Sequence, residues 1–355
     1  MRFPCHPRTS VLAAGALLSA ACAGDAPRTA ELTLPARDSG QVNAEPACAN
    51  CTIVFDTVVT LGADDDPGGI GNRGSVDWDV DSRGRYYVPV SGGEVFIYGP
   101  DAAFQRTLAP LGLGPGELPE GRSHVSVGPG DTVLVVSQYP RPGRIHVFDP
   151  DLAFVRSAPL DPAVAGPLFV TYHAPTDRFL LPETGSAQDR ISIVAADGTL
   201  AASFDPHVET TERRPPHRPV VAPDGTIWTV HGDLWGIDGW SPDGERLRSF
   251  RGDMPWLVGE RNGLHAMSFD DEGHAFLHGA VRNIVMLPDG RTDMENSSVE
   301  GVVEAMDLAS GTLLARARFE EGISGPPFGP LPWRFVESPS GNIRLQVLRP
   351  RLVGK

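Results

Sequence analysis

His217 and His265 stand 48 residues apart at matching points of a repeated pattern, a spacing that would bring two imidazoles from neighbouring structural units together. Such a pair can share a divalent cation or a polar ligand. Arg122 and Trp333 hold the same register in other copies, as do Val76 and Phe169. The resulting ring would mix one guanidinium, two imidazoles and aromatic surface. It carries no carboxylate at that register, although Asp77 and Asp79 lie close by. Ordinary solvated residues would look the same.

Asp64-Asp65-Asp66, followed by Gly68-Gly69, offers hard oxygen donors. Asp64 and Asp66 are therefore candidate ligands for Ca²⁺ or another divalent cation. No glutamate stands at the twelfth position of that loop, so it is not an EF-hand, and a solvated acidic turn fits equally. Arg213-Arg214-Pro215-Pro216-His217-Arg218 is a basic patch that would meet an anionic ligand or simply balance charge. Protein nucleophiles lack their usual settings. Gly239-Trp240-Ser241-Pro242-Asp243 is not a G-x-S-x-G elbow, and no P-loop and no H-E-x-x-H motif occurs. No catalytic residue is assigned, and no organic cofactor is expected.

The elements that must position these residues follow from the repeat. Turn residues recur at Gly84, Gly130, Asp177, Gly225, Gly273 and Gly341, about 47 residues apart until the last step. Each lies between short runs rich in Val, Ile, Phe and Trp. Residues 219–250 show one whole copy: four strands separated by Asp224-Gly225, a connection, and Pro242-Asp243-Gly244. Four strands per copy of this length make one propeller blade. The runs are continuously apolar rather than alternating, as expected of strands covered on both faces. The sequence thus predicts an all-β, six-bladed β-propeller over residues 48–350, with an insertion at about 280–301. Inside that insertion Ile284 to Gly290 reads as an added hairpin, and Thr292 to Glu300 as a polar loop. The sixth copy lacks an outer strand. Ile53 to Leu61 has outer-strand character and no copy of its own, so it is expected to pair into the last blade and close the ring.

Residues 1–22 read as a signal peptide: Arg2 and Arg8, then an apolar run from Val11 to Ala21, too short to span a membrane. The run ends in Leu18-Ser19-Ala20-Ala21-Cys22, similar to a bacterial lipobox, with Cys22 as the lipidated residue. Ordinary cleavage beside Cys22 is the alternative. The chain is therefore expected to be exported, as an outer-membrane or periplasm-facing lipoprotein held by a lipid anchor alone, or else as a soluble secreted or periplasmic protein. Residues 23–47, rich in Ala, Pro, Asp, Glu and Thr, read as a flexible linker. Cys48-Ala-Asn-Cys51 lacks the His of haem attachment and the second CxxC of a zinc site. In an oxidising compartment it is expected to form a local disulfide. The formal net charge of −15 argues against nucleic acid as a partner.

Gly112-Leu113-Gly114-Pro115-Gly116-Glu117-Leu118 follows the first blade. It resembles the G-x-G-P-G-E signature of bacterial six-bladed, NHL-like propeller lipoproteins, with Leu118 where that family carries an aromatic residue. The resemblance implies the same fold and location and leaves activity open. Two functions are expected from the whole: a monomeric, non-enzymatic propeller binding an envelope protein or small ligand, or a divalent-metal-dependent hydrolase of the sugar-lactonase propeller type.

Overall fold

The computed structural model describes residues 39–64, 66, 70, 77–90, 92–139, 141, 143–164, 169–183, 190–204, 219–231, 235–257, 262–286, 292–319 and 329–354. They form six sheets, antiparallel except for one added edge strand, arranged as the blades of a propeller. Blade 1 comprises Asp79–Val80, Tyr86–Pro89, Val95–Tyr98 and Phe104–Thr107. Blade 2 comprises Ser123–Val127, Val133–Ser137, Arg144–Phe148 and Phe154–Pro159. Blade 3 comprises Thr171–His173, Arg178–Glu183, Arg190–Val194 and Leu200–Phe204. Blade 4 comprises Val220–Val221, Ile227–His231, Gly236–Trp240 and Arg246–Gly252. Blade 5 comprises Gly263–Phe269, Ala275–Met286, Thr292–Asp307 and Thr312–Phe319.

Blade 6 is built from both ends of the described chain. Trp333–Glu337 pairs with Ile343–Gly354, which pairs in turn with Cys51–Leu61. The register sets Ile53 against Leu352 and Leu61 against Leu345. The expected closing strand is therefore in place and gives the last blade its outer strand.

The turns show why the repeat is visible in sequence. All six repeat turn positions lie in the left-handed region, with φ from +52° at Asp177 to +86° at Gly225 and Gly341. Glycine tolerates that conformation, and aspartate does so better than most other residues. At Gly84, Gly273 and Gly341 a short oxygen side chain three residues earlier, from Asp81, Asp270 or Ser338, also holds the turn. Asp81 accepts the amides of Arg83 and Arg85 at 3.0 and 2.9 Å. Asp270 does the same for Glu272 and His274 at 3.0 and 2.8 Å. The outer turns repeat the device at Asp149, and at Ser241 with a hydroxyl. Part of the chain's acidity is thus spent on closing turns.

The apolar core is divided among the six seams between blades. Tyr87, Val95 and Ile97 of blade 1 meet Val125, Val133 and Val135 of blade 2. Leu134, Val136 and Ile145 of blade 2 turn the other way, onto Phe179 and Leu181 of blade 3. Neighbouring residues on one strand serve opposite seams, so the strands read as unbroken apolar runs.

Three sequence expectations change. The linker reading of residues 23–47 fails at its end. Ser39–Val42 forms a fifth, parallel strand on blade 4, and Ala47 and Cys48 donate to Leu313 and Leu314 carbonyls of blade 5. Residues 23–38 lie outside the described residues. The insertion near 280–301 is a continuation of the two middle strands of blade 5, so Thr292 to Glu300 is strand rather than loop. The last strand runs past residue 350, to Gly354. Cys48 and Cys51 form the expected disulfide.

Candidate functional site

The first strand of each blade lies innermost, and the candidate ring falls at the start of these strands. Arg122 is exposed immediately before Ser123–Val127. Phe169 is buried just ahead of Thr171–His173. His265 is half-buried in Gly263–Phe269, and Trp333 opens Trp333–Glu337 with its ring edge-on to Phe335. His217 and Val76 lie outside the described residues, so the proposed His217–His265 pair is not placed.

What the inner strands do show is a belt of polar links from blade to blade. Oδ2 of Asp77, from blade 1, accepts the Val125 amide of blade 2 at 3.3 Å and lies 3.3 Å from His124 Nδ1. Asp79 accepts the Val127 amide at 2.8 Å and the Ser126 hydroxyl at 3.2 Å. The same hydroxyl oxygen accepts the Tyr172 amide of blade 3 at 3.1 Å. His173 Nε2 donates to the Gly225 carbonyl of blade 4 at 2.9 Å, which leaves Nδ1 to accept from Thr176 at 2.7 Å. These histidines and carboxylates hold blades in register.

Asp64 is drawn into blade 6. Its Oδ1 accepts from Ser338, Asn342 and Arg344 at 2.9, 3.2 and 3.1 Å. Hydrogen bonds from Ser340 and Arg344 hold its carboxyl well below the usual carboxylate range. Asp66 accepts the Ala63 amide at 2.8 Å. The two carboxylates thus close a loop on the last blade.

A different cluster gathers cation-ligand atoms. Asp270, Glu272 and His274 flank the left-handed Gly273 of blade 5, and one ligand atom from each lies within 4.8 Å of the others. His274 Nδ1 is 2.9 Å from Asp270 Oδ2 and 3.7 Å from Glu272 Oε2. Asp270 is nearly buried, His274 partly exposed and Glu272 largely in solvent. Two carboxylates and one imidazole suit a Zn²⁺- or Mn²⁺-class ion better than Ca²⁺, which prefers an all-oxygen shell. The sequence Asp270-Asp271-Glu272-Gly273-His274 carried the signal: alternate ligand-type residues folded back by a turn.

Sequence reasoning also missed buried charged clusters announced by an acid inside an apolar strand. Glu183 meets Arg190 and Ser192. Asp238 meets His231 and Arg251. Glu304 meets Arg316, Trp235 and Trp256.

The Gly-Pro-Gly-Glu segment is a folded-back loop. Gly112 donates to the Leu118 carbonyl, and Glu117 Oε2 accepts the Gly114 amide at 2.7 Å. A Cβ at Gly112 would lie 2.0 Å from that carboxylate, and one at Gly116 would lie 3.2 Å from Phe154 of blade 2. The glycines make room for Glu117 and for the next blade, so Gly114, Pro115, Gly116 and Glu117 have a structural explanation.

The sequence matches no family model and no curated protein. Solved structures match by fold. A candidate exported protein of Bacteroides fragilis is 9% identical, with 88% of this chain and 99% of that chain covered and a TM-score of 0.52. Virginiamycin B lyase of Staphylococcus aureus is 9% identical, with 86% and 100% covered and a TM-score of 0.45. A hydrazine synthase of Kuenenia stuttgartiensis is 12% identical, with 77% and 74% covered and a TM-score of 0.49. At these identities the likeness concerns the propeller architecture alone. Among the described residues no helix is long and apolar enough to cross a membrane.

Proposed function

We propose that this propeller is the scaffold of a divalent-cation site and that it hydrolyses a lactone or ester with the bound ion. The Asp270–Glu272–His274 cluster carries this reading. Asp270 Oδ1 is spent on the turn amides, which fixes the carboxylate and directs Oδ2 at His274. A dication would replace the proton between those two atoms, with Glu272 closing from solvent. Three protein donors leave positions open for water and substrate, as catalytic sites require. An ion held there would lower the pKa of bound water and polarise a carbonyl. Glu272, being exposed, would move to the ion or serve as the base that takes a proton from water.

A second reading is a non-catalytic binding module. The inner-strand acids and histidines are committed to neighbouring blades, which favours it. Titration with Zn²⁺, Mn²⁺ and Ca²⁺, followed by a panel of lactones and esters, separates the two. Stoichiometric uptake and turnover that both vanish in His274→Ala support the hydrolase. Uptake without turnover leaves the binding module. No uptake removes the metal reading altogether.

The signal-like residues 1–22 support a place at the cell envelope, with Cys22 as its lipid anchor. Cys22→Ser should then move the protein from the membrane fraction to the soluble one.

A further inference from the structure

The described chain begins with a strap around the outer rim of the propeller. Ser39–Val42 pairs in parallel with Ser249–Gly252, the outer edge of blade 4. Val42 is buried in the seam between blades 4 and 5, in the same cluster as Trp235, Phe250 and Trp256. The Ala44 carbonyl accepts from Arg316 at 3.0 Å. The Ala47 and Cys48 amides then donate to the outer strand of blade 5 at 2.8 and 3.2 Å. Three residues later Cys51 opens the closing strand of blade 6.

The disulfide sits at the corner where strap becomes closing strand. Cys48 belongs to the strap and Cys51 to the ring. Beyond Cys51 the strand is secured by a long antiparallel ladder with Ile343–Gly354. Before Cys48 the strap is held by a four-residue parallel pairing, one seated valine and a few single hydrogen bonds. A four-residue loop restrains the unfolded chain little, so the bond's effect is local. Both cysteines are only half-buried, and Ala49 and Asn50 between them are exposed. A small thiol reagent can reach the bond, and accessible disulfides are the labile ones.

We propose that Cys48–Cys51 is a redox latch on this strap, and that its reduction by a dithiol frees Ser39 to Ala47 from blades 4 and 5. Two electrons and two protons pass from the dithiol. Its two S–H bonds become one S–S bond, and the protein's S–S bond becomes two S–H groups. The outer edge of blade 4 then loses its fifth strand, and the seam holding Trp235 and Trp256 loses Val42.

Hydrogen exchange on the oxidised and dithiothreitol-reduced protein tests this. Exchange at the Ala47 and Cys48 amides should rise at least tenfold on reduction and return on re-oxidation. Exchange in Phe154–Pro159, on the far side of the ring, should not change. Cys48→Ser/Cys51→Ser should behave as the reduced protein does. Unchanged exchange at Ala47 and Cys48 overturns the latch. A parallel rise in Phe154–Pro159 also overturns it, since the disulfide would then be supporting the whole fold.

Discussion

The guanidinium of Arg251 grips both carboxylate oxygens of Asp238, with Nη1 3.0 Å from Oδ1 and Nη2 3.1 Å from Oδ2. His231 Nε2 approaches the same carboxylate at 2.6 Å, and Asp238 and His231 are both buried. Burial alone would raise the Asp238 carboxyl. Hydrogen bonds from His231 and Arg251 outweigh it and hold the group at about 2. Asp238→Ala leaves an imidazole and a guanidinium facing each other without their anion. It should cost about 3–5 kcal/mol in chemical denaturation, as removal of one partner from a buried pair does. The wild-type contribution should be complete above the unfolded carboxyl's pKa near 3.9. It should fade as pH falls from there towards about 2, by about 2 kcal/mol in all.

Two buried histidines should make the fold sensitive to milder acid. Burial pushes His278 down to about 3. Burial and the charge of Arg144 push His146 down to about 4. Each shares a hydrogen bond with a serine, His278 with Ser268 at 2.9 Å and His146 with Ser137 at 3.3 Å. The unfolded chain takes up protons at these sites below about pH 6.5, whereas the folded chain does not. Stability should therefore fall on acidification by about 1.4 kcal/mol per pH unit for each histidine. The slope should end near pH 4 for His146 and near pH 3 for His278. Denaturation midpoints measured between pH 7 and 5, above most carboxylate titrations, should show it. His278→Gln should remove about half of that slope.

The turn residues should rank by what a side chain would meet. Gly273 has φ +84° with nothing within 4 Å of an added Cβ. Gly273→Ala should therefore cost only the left-handed strain, about 1–2 kcal/mol. Gly225 has φ +86° and faces Pro175 of blade 3, whose Cγ would lie 2.8 Å from the new atom. Gly225→Ala should cost more than Gly273→Ala and loosen the seam between blades 3 and 4. Asp177 already occupies the equivalent position with a side chain, so Asp177→Gly should change stability least of the three. Thermal unfolding of the three variants side by side gives the order.

That ranking also shows what was legible in the sequence. The turn signal is local: a left-handed Gly or Asp once per blade, preceded three places earlier by Asp or Ser in blades 1, 5 and 6. Such a pattern survives in the chain order, so blade number and ring closure can be read from it. Strap and site residues cannot be read that way. Ser39 to Ala47 looks like a linker because its composition is polar and proline-bearing, and its pairing partners lie more than 200 residues away. The blade-to-blade contacts of His124 and His173 could not be read, because register gives depth along the axis but not the neighbouring blade's backbone. The Asp270–His274 contact was missed because Asp270 also closes a turn, and turn aspartates recur throughout the chain.

One carboxylate ties the strap to the core. Glu304 is fully buried in a strand of blade 5 and accepts from Arg316 Nε at 2.6 Å, from Trp256 Nε1 at 2.9 Å and from Trp235 Nε1. Three donors converge on an acceptor that can take about four bonds, so little of its capacity is wasted. Glu304→Ala strands two indole N–H groups and a guanidinium together in the seam, and should cost about 3–5 kcal/mol. Glu304→Gln keeps an acceptor oxygen but loses the charge, and should cost distinctly less. Arg316→Lys separates the two jobs of that arginine. A lysine can still meet Glu304 but cannot also fork to the Ala44 carbonyl. It should therefore leave global stability close to Glu304→Gln while speeding amide exchange at Ala47 and Cys48. Equal stability losses in Glu304→Ala and Glu304→Gln, measured by denaturant titration, would show that the convergence of donors on this carboxylate contributes nothing beyond packing.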